Sequence, residues 1–103
     1  NFTNINSLSG LFIEDCAFDN TKNIVNYMFT SLKELGNNSL YWDGESNITI
    51  NLYDNINEVK VYNHVFNGCS LTGCDYRKLN ILISRDKKDY YTNHNIWKLY
   101  LSN

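Results

Sequence analysis

Two different spacings of apolar residues divide the chain at Gly36. Before this glycine, apolar side chains recur at intervals of three and four residues, which places them on one side of an α-helix. Asp19 or Asn20 can cap the start of such a helix, and Gly36 suits the left-handed backbone in which helices often end. The pattern therefore predicts an amphipathic helix over about residues 20–35. Its apolar side would carry Ile24, Val25, Met28, Leu32 and Leu35.

After Gly36, apolar and polar residues alternate, which is typical of strands with one buried face. Ile48, Ile50 and Leu52 alternate with polar residues. The preceding pair, Asp43-Gly44, accepts the positive φ angles of a tight hairpin. The same reasoning predicts strands over residues 39–42, 46–53, 58–66, 78–84 and 90–101.

Together these elements predict an α+β fold, with one N-terminal helix packed on a four- to five-stranded antiparallel meander sheet. The chain has 103 residues, of which 43% are hydrophobic and 15% aromatic, so it can bury one core. We expect a single domain over residues 1–103, with Trp42 and Trp97 in the core. The 18 asparagines and the lack of proline are typical of an A/T-rich genome.

Charge and hydropathy indicate neither a nucleic-acid-binding domain nor a membrane-spanning one. Residues 1–76 carry three lysines and nine acidic residues, residues 77–103 carry six basic and two acidic ones, and the net charge is −2. The sequence pI of about 5.5 is far from that of a typical nucleic-acid-binding domain. Without a run of 18 apolar residues, we expect no membrane span. The chain begins at Asn1 without a signal-peptide pattern, so we expect either a removed targeting segment or a larger parent protein.

Cys69 and Cys74 lie five residues apart in a glycine-framed segment after the alternating run that ends at Phe66. A disulfide here would brace the connection between two strands and contribute about 2 kcal/mol, because so short a loop restricts little chain entropy. A pair of reduced thiols in a cytosolic protein is the alternative. Cys16 is the third cysteine, so an oxidised chain leaves one thiol free or pairs it with another chain.

The sequence offers two further kinds of chemistry, a metal site and an enzymatic site. His64, Cys69, Cys74 and His94 supply the ligand types of structural zinc, but their spacing does not match a compact zinc motif. Because no phosphate loop, nucleophile elbow or paired histidines occur, we expect no enzyme, no cofactor and no metal. The enzymatic alternatives are a Cys16 nucleophile with a histidine base and Asp75 or Asp86, and a metal-independent nuclease. The nuclease would use His94, Lys87 or Lys88, and Tyr90.

The eight tyrosines are more than one sheet face can bury, and exposed tyrosine is enriched at protein interfaces. We therefore predict a non-enzymatic secreted or periplasmic protein-interaction domain, such as an inhibitor, adhesion or assembly subunit. It would bind another protein through a tyrosine-rich sheet face and the Cys69–Cys74 loop. The predicted binding residues are Tyr62, Ser70, Leu71, Thr72, Tyr76 and Tyr90. The alternative is a cytosolic toxin antagonist of the immunity type, whose acidic surface, including Asp43 through Glu58, would mimic nucleic-acid charge.

Overall fold

The computed structural model describes residues 26–101 in full, together with the backbone of two earlier strands at residues 4–8 and 12–13. Nine short strands precede two short helices in this part of the chain. The strands are β1 (Asn4–Leu8), β2 (Phe12–Ile13), β3 (Asn26–Phe29), β4 (Glu34–Leu35), β5 (Leu40–Tyr41), β6 (Ile48–Asn51), β7 (Lys60–Val61), β8 (Phe66–Asn67) and β9 (Leu79–Leu82). The helices are α1 (Lys88–Asn93) and α2 (Trp97–Leu101).

The strands form three parallel sheets, so the predicted antiparallel meander is wrong. The first sheet has the order β1-β3-β6-β9, the second β2-β4-β7, and the third β5-β8. Every pairing between described strands is parallel. Strands that follow one another along the chain belong to different sheets, and each of β1 to β6 pairs with the equivalent strand one circuit later. The chain therefore winds as a coil, the arrangement of a β-solenoid.

The pairing register shows how one circuit stacks on the next. Asn4 pairs with Asn26, Asn26 with Thr49, and Thr49 with Asn80. One circuit thus takes 22 residues from 4 to 26, 23 from 26 to 49, and 31 from 49 to 80. The last circuit is eight residues longer than the one before it, and five of these extra residues fall between β8 and β9, where the Cys69–Cys74 loop lies. Such lengths fall within the range of solenoid repeats.

The core lies inside the coil and is built from stacked side chains of successive circuits. In the first sheet, Tyr27 pairs with Ile50, and Ile50 with Ile81. Tyr27 and Ile50 are fully buried, and Ile81 packs against the same core. The intervening outward positions are polar in most places, which explains why the alternation of residues 48–52 correctly identified a strand. The sequence pattern also placed Trp42 and Trp97 in the core, and both are buried.

The predicted helix over residues 20–35 is also wrong, because its described part contains two strands. Residues 26–29 form β3, in which Tyr27 and Phe29 point inward, and residues 34–35 form β4. Leu32 and Leu35 are buried as well, but they lie beyond a bend between two sheets. A bend in a strand-rich coil therefore reproduces the three- and four-residue spacing of a helix. Residues 20–25 lie outside the described part.

The two helices close the coil at the end of the chain, where a strand over residues 90–101 was predicted. Aromatic side chains from these helices satisfy backbone groups of the last complete circuit. The Tyr91 hydroxyl accepts the N–H of Val59 at 3.1 Å, and the Trp97 indole N–H donates to the Val59 carbonyl at 2.8 Å. The Tyr100 hydroxyl accepts the N–H of Val65 at 3.2 Å. We call Tyr90, Tyr91, Trp97 and Tyr100 the aromatic cap. Without it, backbone N–H and carbonyl groups at the edge of the last circuit would be buried without hydrogen-bond partners or would be free to pair with another chain.

A buried asparagine replaces strand pairing at the bend between the first and second sheets. Asn55 is buried, and its Oδ1 accepts the Leu32 N–H at 2.7 Å. Its Nδ2 donates to the Leu32 carbonyl at 2.9 Å and to the Asn57 carbonyl at 2.8 Å. One side chain thus joins two successive circuits where the strands are interrupted.

Neither helix in the described part of the chain has the length and apolar character needed to cross a membrane.

Candidate functional site: the Cys69–Cys74 loop

A disulfide between Cys69 and Cys74 closes the loop that leaves the third sheet after β8. The S–S distance is 2.04 Å and the two Cα atoms are 5.5 Å apart. Within the loop, the Gly73 N–H donates to the Ser70 carbonyl at 2.9 Å, which forms a tight turn. The predicted pairing is therefore present in the structure. A disulfide of this kind is compatible with an extracellular location.

A turn in the preceding circuit, at Gly44, packs against the base of this loop. Gly44 has a φ of 82°, and its carbonyl accepts the Asp75 N–H at 2.7 Å. A Cβ atom at Gly44 would lie 2.7 Å from the Cβ of Cys69, so only glycine permits this approach. Asp43 orders the same turn by accepting the N–H groups of Glu45 and Ser46. These hydrogen bonds lower the pKa of the Asp43 carboxyl, and the bond from Ser46 has the largest effect.

The end of the loop is exposed and carries an apolar side chain. Ser70, Leu71 and Thr72 are all exposed, with Leu71 48% accessible to solvent. The hydroxyls of Ser70 and Thr72 lie 3.4 Å apart. On the far side of the loop, Arg77 forms an ion pair with Asp75 at 2.8 Å, which lowers the pKa of the Asp75 carboxyl. The loop therefore exposes Leu71 to solvent between the hydroxyl groups of Ser70 and Thr72. Backbone hydrogen bonds hold the loop below these residues.

His64 lies against the base of the loop. Its Nε2 is 2.9 Å from the Cys69 carbonyl oxygen, and its ring packs edge-on against Phe66 with the centroids 6.2 Å apart. One ring nitrogen of His64 and the two sulfur atoms all lie within 4.8 Å of one another. Of the four residues considered for zinc from the sequence, the structure brings together these three, whereas His94 is not part of the group.

The other predicted binding residues are spread over different parts of the surface. Tyr62 is 48% exposed, and its hydroxyl donates to Glu34 at 3.3 Å. The Glu34 carboxylate raises the pKa of this tyrosine. Tyr76 packs between Trp42 and Tyr100, with ring centroids 6.0 and 5.5 Å away. Burial raises its pKa.

Tyr90 belongs to the aromatic cap. Its hydroxyl donates to the Val59 carbonyl at 2.9 Å, and its pKa is raised mainly by burial. Tyr91 and Tyr100 are buried. The described tyrosines are thus divided between the core, the cap and the surface, and the structure does not gather them on one sheet face.

The residues of the enzymatic alternatives serve local structural roles where the structure describes them. His94 Nδ1 accepts the N–H groups of Ile96 and Trp97 at 3.1 and 3.4 Å, which orders the start of α2. Lys87 pairs with Asp86 at 3.3 Å, and contacts from Ser84 and Lys87 lower the pKa of the Asp86 carboxyl. Cys16 lies outside the described residues.

One surface feature was not anticipated from the sequence. A cleft of about 460 Å³ lies between successive circuits and is lined by Tyr53, Ile83, Ser84, Arg85 and Lys88. Tyr53 is exposed, and so is Ile56, three residues further along the chain. The strand pattern gave no signal for this cleft, because Tyr53 and Ser84 become neighbours only through parallel stacking of the circuits.

No protein-family model matches the chain, and comparisons with curated proteins and with solved structures give no match either.

Proposed function

We propose that this chain is a non-enzymatic protein-interaction domain that acts outside the cytoplasm and binds its partner through the Cys69–Cys74 loop. The observation that carries the proposal is a solvent-exposed leucine held at the end of a loop that is braced at its base. The disulfide and the turn hydrogen bond fix the loop internally, and the Gly44 turn fixes it to the coil.

Rigidity favours binding because less conformational entropy is lost when a partner is engaged. Ordering a flexible side chain or loop on association costs about 0.5–1.5 kcal/mol for each rotamer-rich side chain that is immobilised. In this loop the backbone is already held by covalent and hydrogen bonds. Leu71 can then fill an apolar pocket of the partner, while Ser70 and Thr72 supply hydrogen-bonding groups beside it.

The coil itself supports the same function. Solenoids present rigid lateral surfaces, and loops inserted into one circuit protrude from a fixed framework. Here the insertion falls in the longest circuit, next to the aromatic cap. Tyr62 is an exposed aromatic residue on the same circuit, and we assign it to the interface together with residues 70–72. Tyr76 and Tyr90 act by holding the framework.

The test is a comparison of partner binding by the wild-type protein and matched variants. A partner is first captured from the fluid or cell surface of the source organism with immobilised oxidised protein, and its affinity is then measured with purified components. We expect Leu71→Asp to weaken binding at least tenfold, because losing an interface hot spot costs about 2 kcal/mol or more and about 1.4 kcal/mol already corresponds to tenfold. Leu82→Asp is the control, since Leu82 is 39% exposed but lies on β9.

Two results of this comparison would contradict the proposal. If Leu71→Asp binds as tightly as the wild type, or if Leu82→Asp loses as much affinity, the loop is not the binding element. Circular dichroism of each variant establishes that the coil is intact.

A further inference from the structure

Three residues with potential metal-ligating atoms meet at the base of the loop, where a structural disulfide needs only the two cysteines. One His64 nitrogen lies within 4.8 Å of both sulfur atoms of the Cys69–Cys74 bridge. His64 and both cysteines are partly buried, not fully exposed. Imidazole nitrogen and cysteine thiolate are the two ligand types that zinc prefers.

The hydrogen bonding of His64 fixes which ring nitrogen carries a proton. The Cys69 carbonyl oxygen can only accept, so the Nε2 atom 2.9 Å away must donate its N–H to it. In the neutral ring, Nδ1 therefore carries a lone pair. This atom is buried and has no hydrogen-bond partner among the described residues. A ring N–H held by a backbone carbonyl is also one of the arrangements that orient metal-bound histidines.

We propose that reduction of the Cys69–Cys74 disulfide converts the base of the loop into a binding site for a zinc-class divalent cation, with His64, Cys69 and Cys74 as ligands. The bridge accepts two electrons and two protons from a thiol or dithiol reductant, which is itself oxidised to a disulfide, and two thiols result. Metal binding then displaces both thiol protons to solvent. Water occupies the fourth position of a tetrahedral site.

The geometry requires only local movement. With metal–sulfur distances of about 2.3 Å, tetrahedral coordination places two sulfur atoms ~3.8 Å apart. The Cα atoms of the two cysteines are already 5.5 Å apart, so rotation of their side chains can open the sulfur pair. The close packing of Gly44 against Cys69 holds the loop base in place while this occurs. The loop would thus be braced by a disulfide when oxidised and by a metal when reduced.

This inference concerns the same loop as the proposed function but does not depend on any partner. The experiment uses full-length protein reduced with a phosphine, which is converted to its oxide and then removed, under anaerobic conditions. Cobalt(II) serves as the spectroscopic probe for thiolate coordination, and zinc(II) is then used to displace it. The starting proteins are the wild type and Cys16→Ser, which excludes the third cysteine as a ligand.

We expect one metal ion per chain for both reduced proteins and none for the oxidised protein. His64→Phe keeps a ring against Phe66 but removes both nitrogens. We expect its metal affinity to fall by more than about 100-fold, because loss of a ligand costs more than the 10–100-fold seen for residues that only support ligands. His94→Asn retains a residue suited to the start of α2 and should bind as the wild type does. Cys69→Ser and Cys74→Ser should each lose the thiolate–cobalt absorption.

Three results would overturn the inference: no metal bound by folded, reduced wild type; unchanged affinity in His64→Phe; or one ion shared by two chains. If His64→Phe does not fold, the NMR signals of the His64 ring in reduced wild type decide the question. They must shift on zinc addition, and the absence of any shift rejects the site. If the oxidised protein binds no partner, the proposed function is refuted, but the metal site in the reduced protein is not.

Discussion

The hydroxyl of Tyr100 offers the sharpest test of the aromatic cap. It accepts the Val65 N–H at 3.2 Å inside the protein, and both residues are buried. Its ring packs against Phe66 and Trp97 with centroid distances of 5.2 and 5.7 Å. Tyr100→Phe removes the acceptor but leaves these ring contacts in place, so it isolates the hydrogen bond from the packing.

The expected loss of stability follows from the burial of Val65. An N–H group left without a partner in the interior costs about 1–3 kcal/mol. Domains of this size are stable by about 5–15 kcal/mol in total, so the change is a substantial part of the whole. At about 4–8 °C for each kcal/mol, the melting temperature should fall by roughly 5–20 °C.

The assay is denaturant unfolding of the oxidised protein, followed by far-ultraviolet circular dichroism. The matched control is Tyr62→Phe, because Tyr62 is exposed and its hydroxyl bonds to Glu34 in solvent. We expect that control to change stability by less than about 0.5 kcal/mol. If Tyr100→Phe costs no more than Tyr62→Phe, the cap hydroxyl does not satisfy the edge of the coil, and our explanation of the helices fails.

Two further predictions concern the same core. Burial raises the pKa values of Tyr91 and Tyr100 from 10.0 to about 12, so ionisation is favoured in the unfolded chain; stability should be intact below pH 10 and lost as the pH rises from 10 to about 12. A flat stability profile over that interval would contradict this burial. Asn55→Ala leaves the Leu32 N–H and carbonyl without their partner and should cost about 2–4 kcal/mol in denaturant unfolding, whereas Asn57→Ala removes only a 3.4 Å contact to Ser31 and should cost less than about 1 kcal/mol. Equal losses would show that Asn55 does not join the circuits.

Local alternation was a sound guide to which residues point inward. Ile48, Ile50 and Leu52 are buried as predicted, since a strand alternates its side chains whatever its partner is. The same pattern carries no information about strand direction, because parallel and antiparallel strands share the two-residue period. The antiparallel meander was inferred from chain order, and that inference fails when consecutive strands enter different sheets.

The helix error has a related cause. In a coil with very short strands, the chain bends every few residues, and the buried positions are set by the bends as well as by the strands. Phe29, Leu32 and Leu35 are all buried at helix-like intervals, although they belong to two strands and the bend between them. The opposite error at the end of the chain arose because Trp97, Leu99 and Leu101 alternate, while α2 packs Trp97 and Tyr100 inward.

The Cys69–Cys74 disulfide was one of two alternatives that the sequence left open, and the structure shows the two cysteines bonded. Residues 70–72 are exposed in the structure, and their role in binding stays a prediction. The position of His64 at the loop base and the support from Gly44 could not be predicted. Both depend on contacts between successive circuits, which the sequence does not reveal without the parallel register.

The covalent state of the loop is the claim on which the proposed function depends most directly. It is tested directly by digesting protein purified from its source without reduction, with free thiols blocked first, and identifying the linked peptides by mass spectrometry. We predict a Cys69–Cys74 bridge, with Cys16 either alkylated or joined to another chain. Three alkylated cysteines, or a bridge from Cys16 to Cys69 or Cys74, would contradict it.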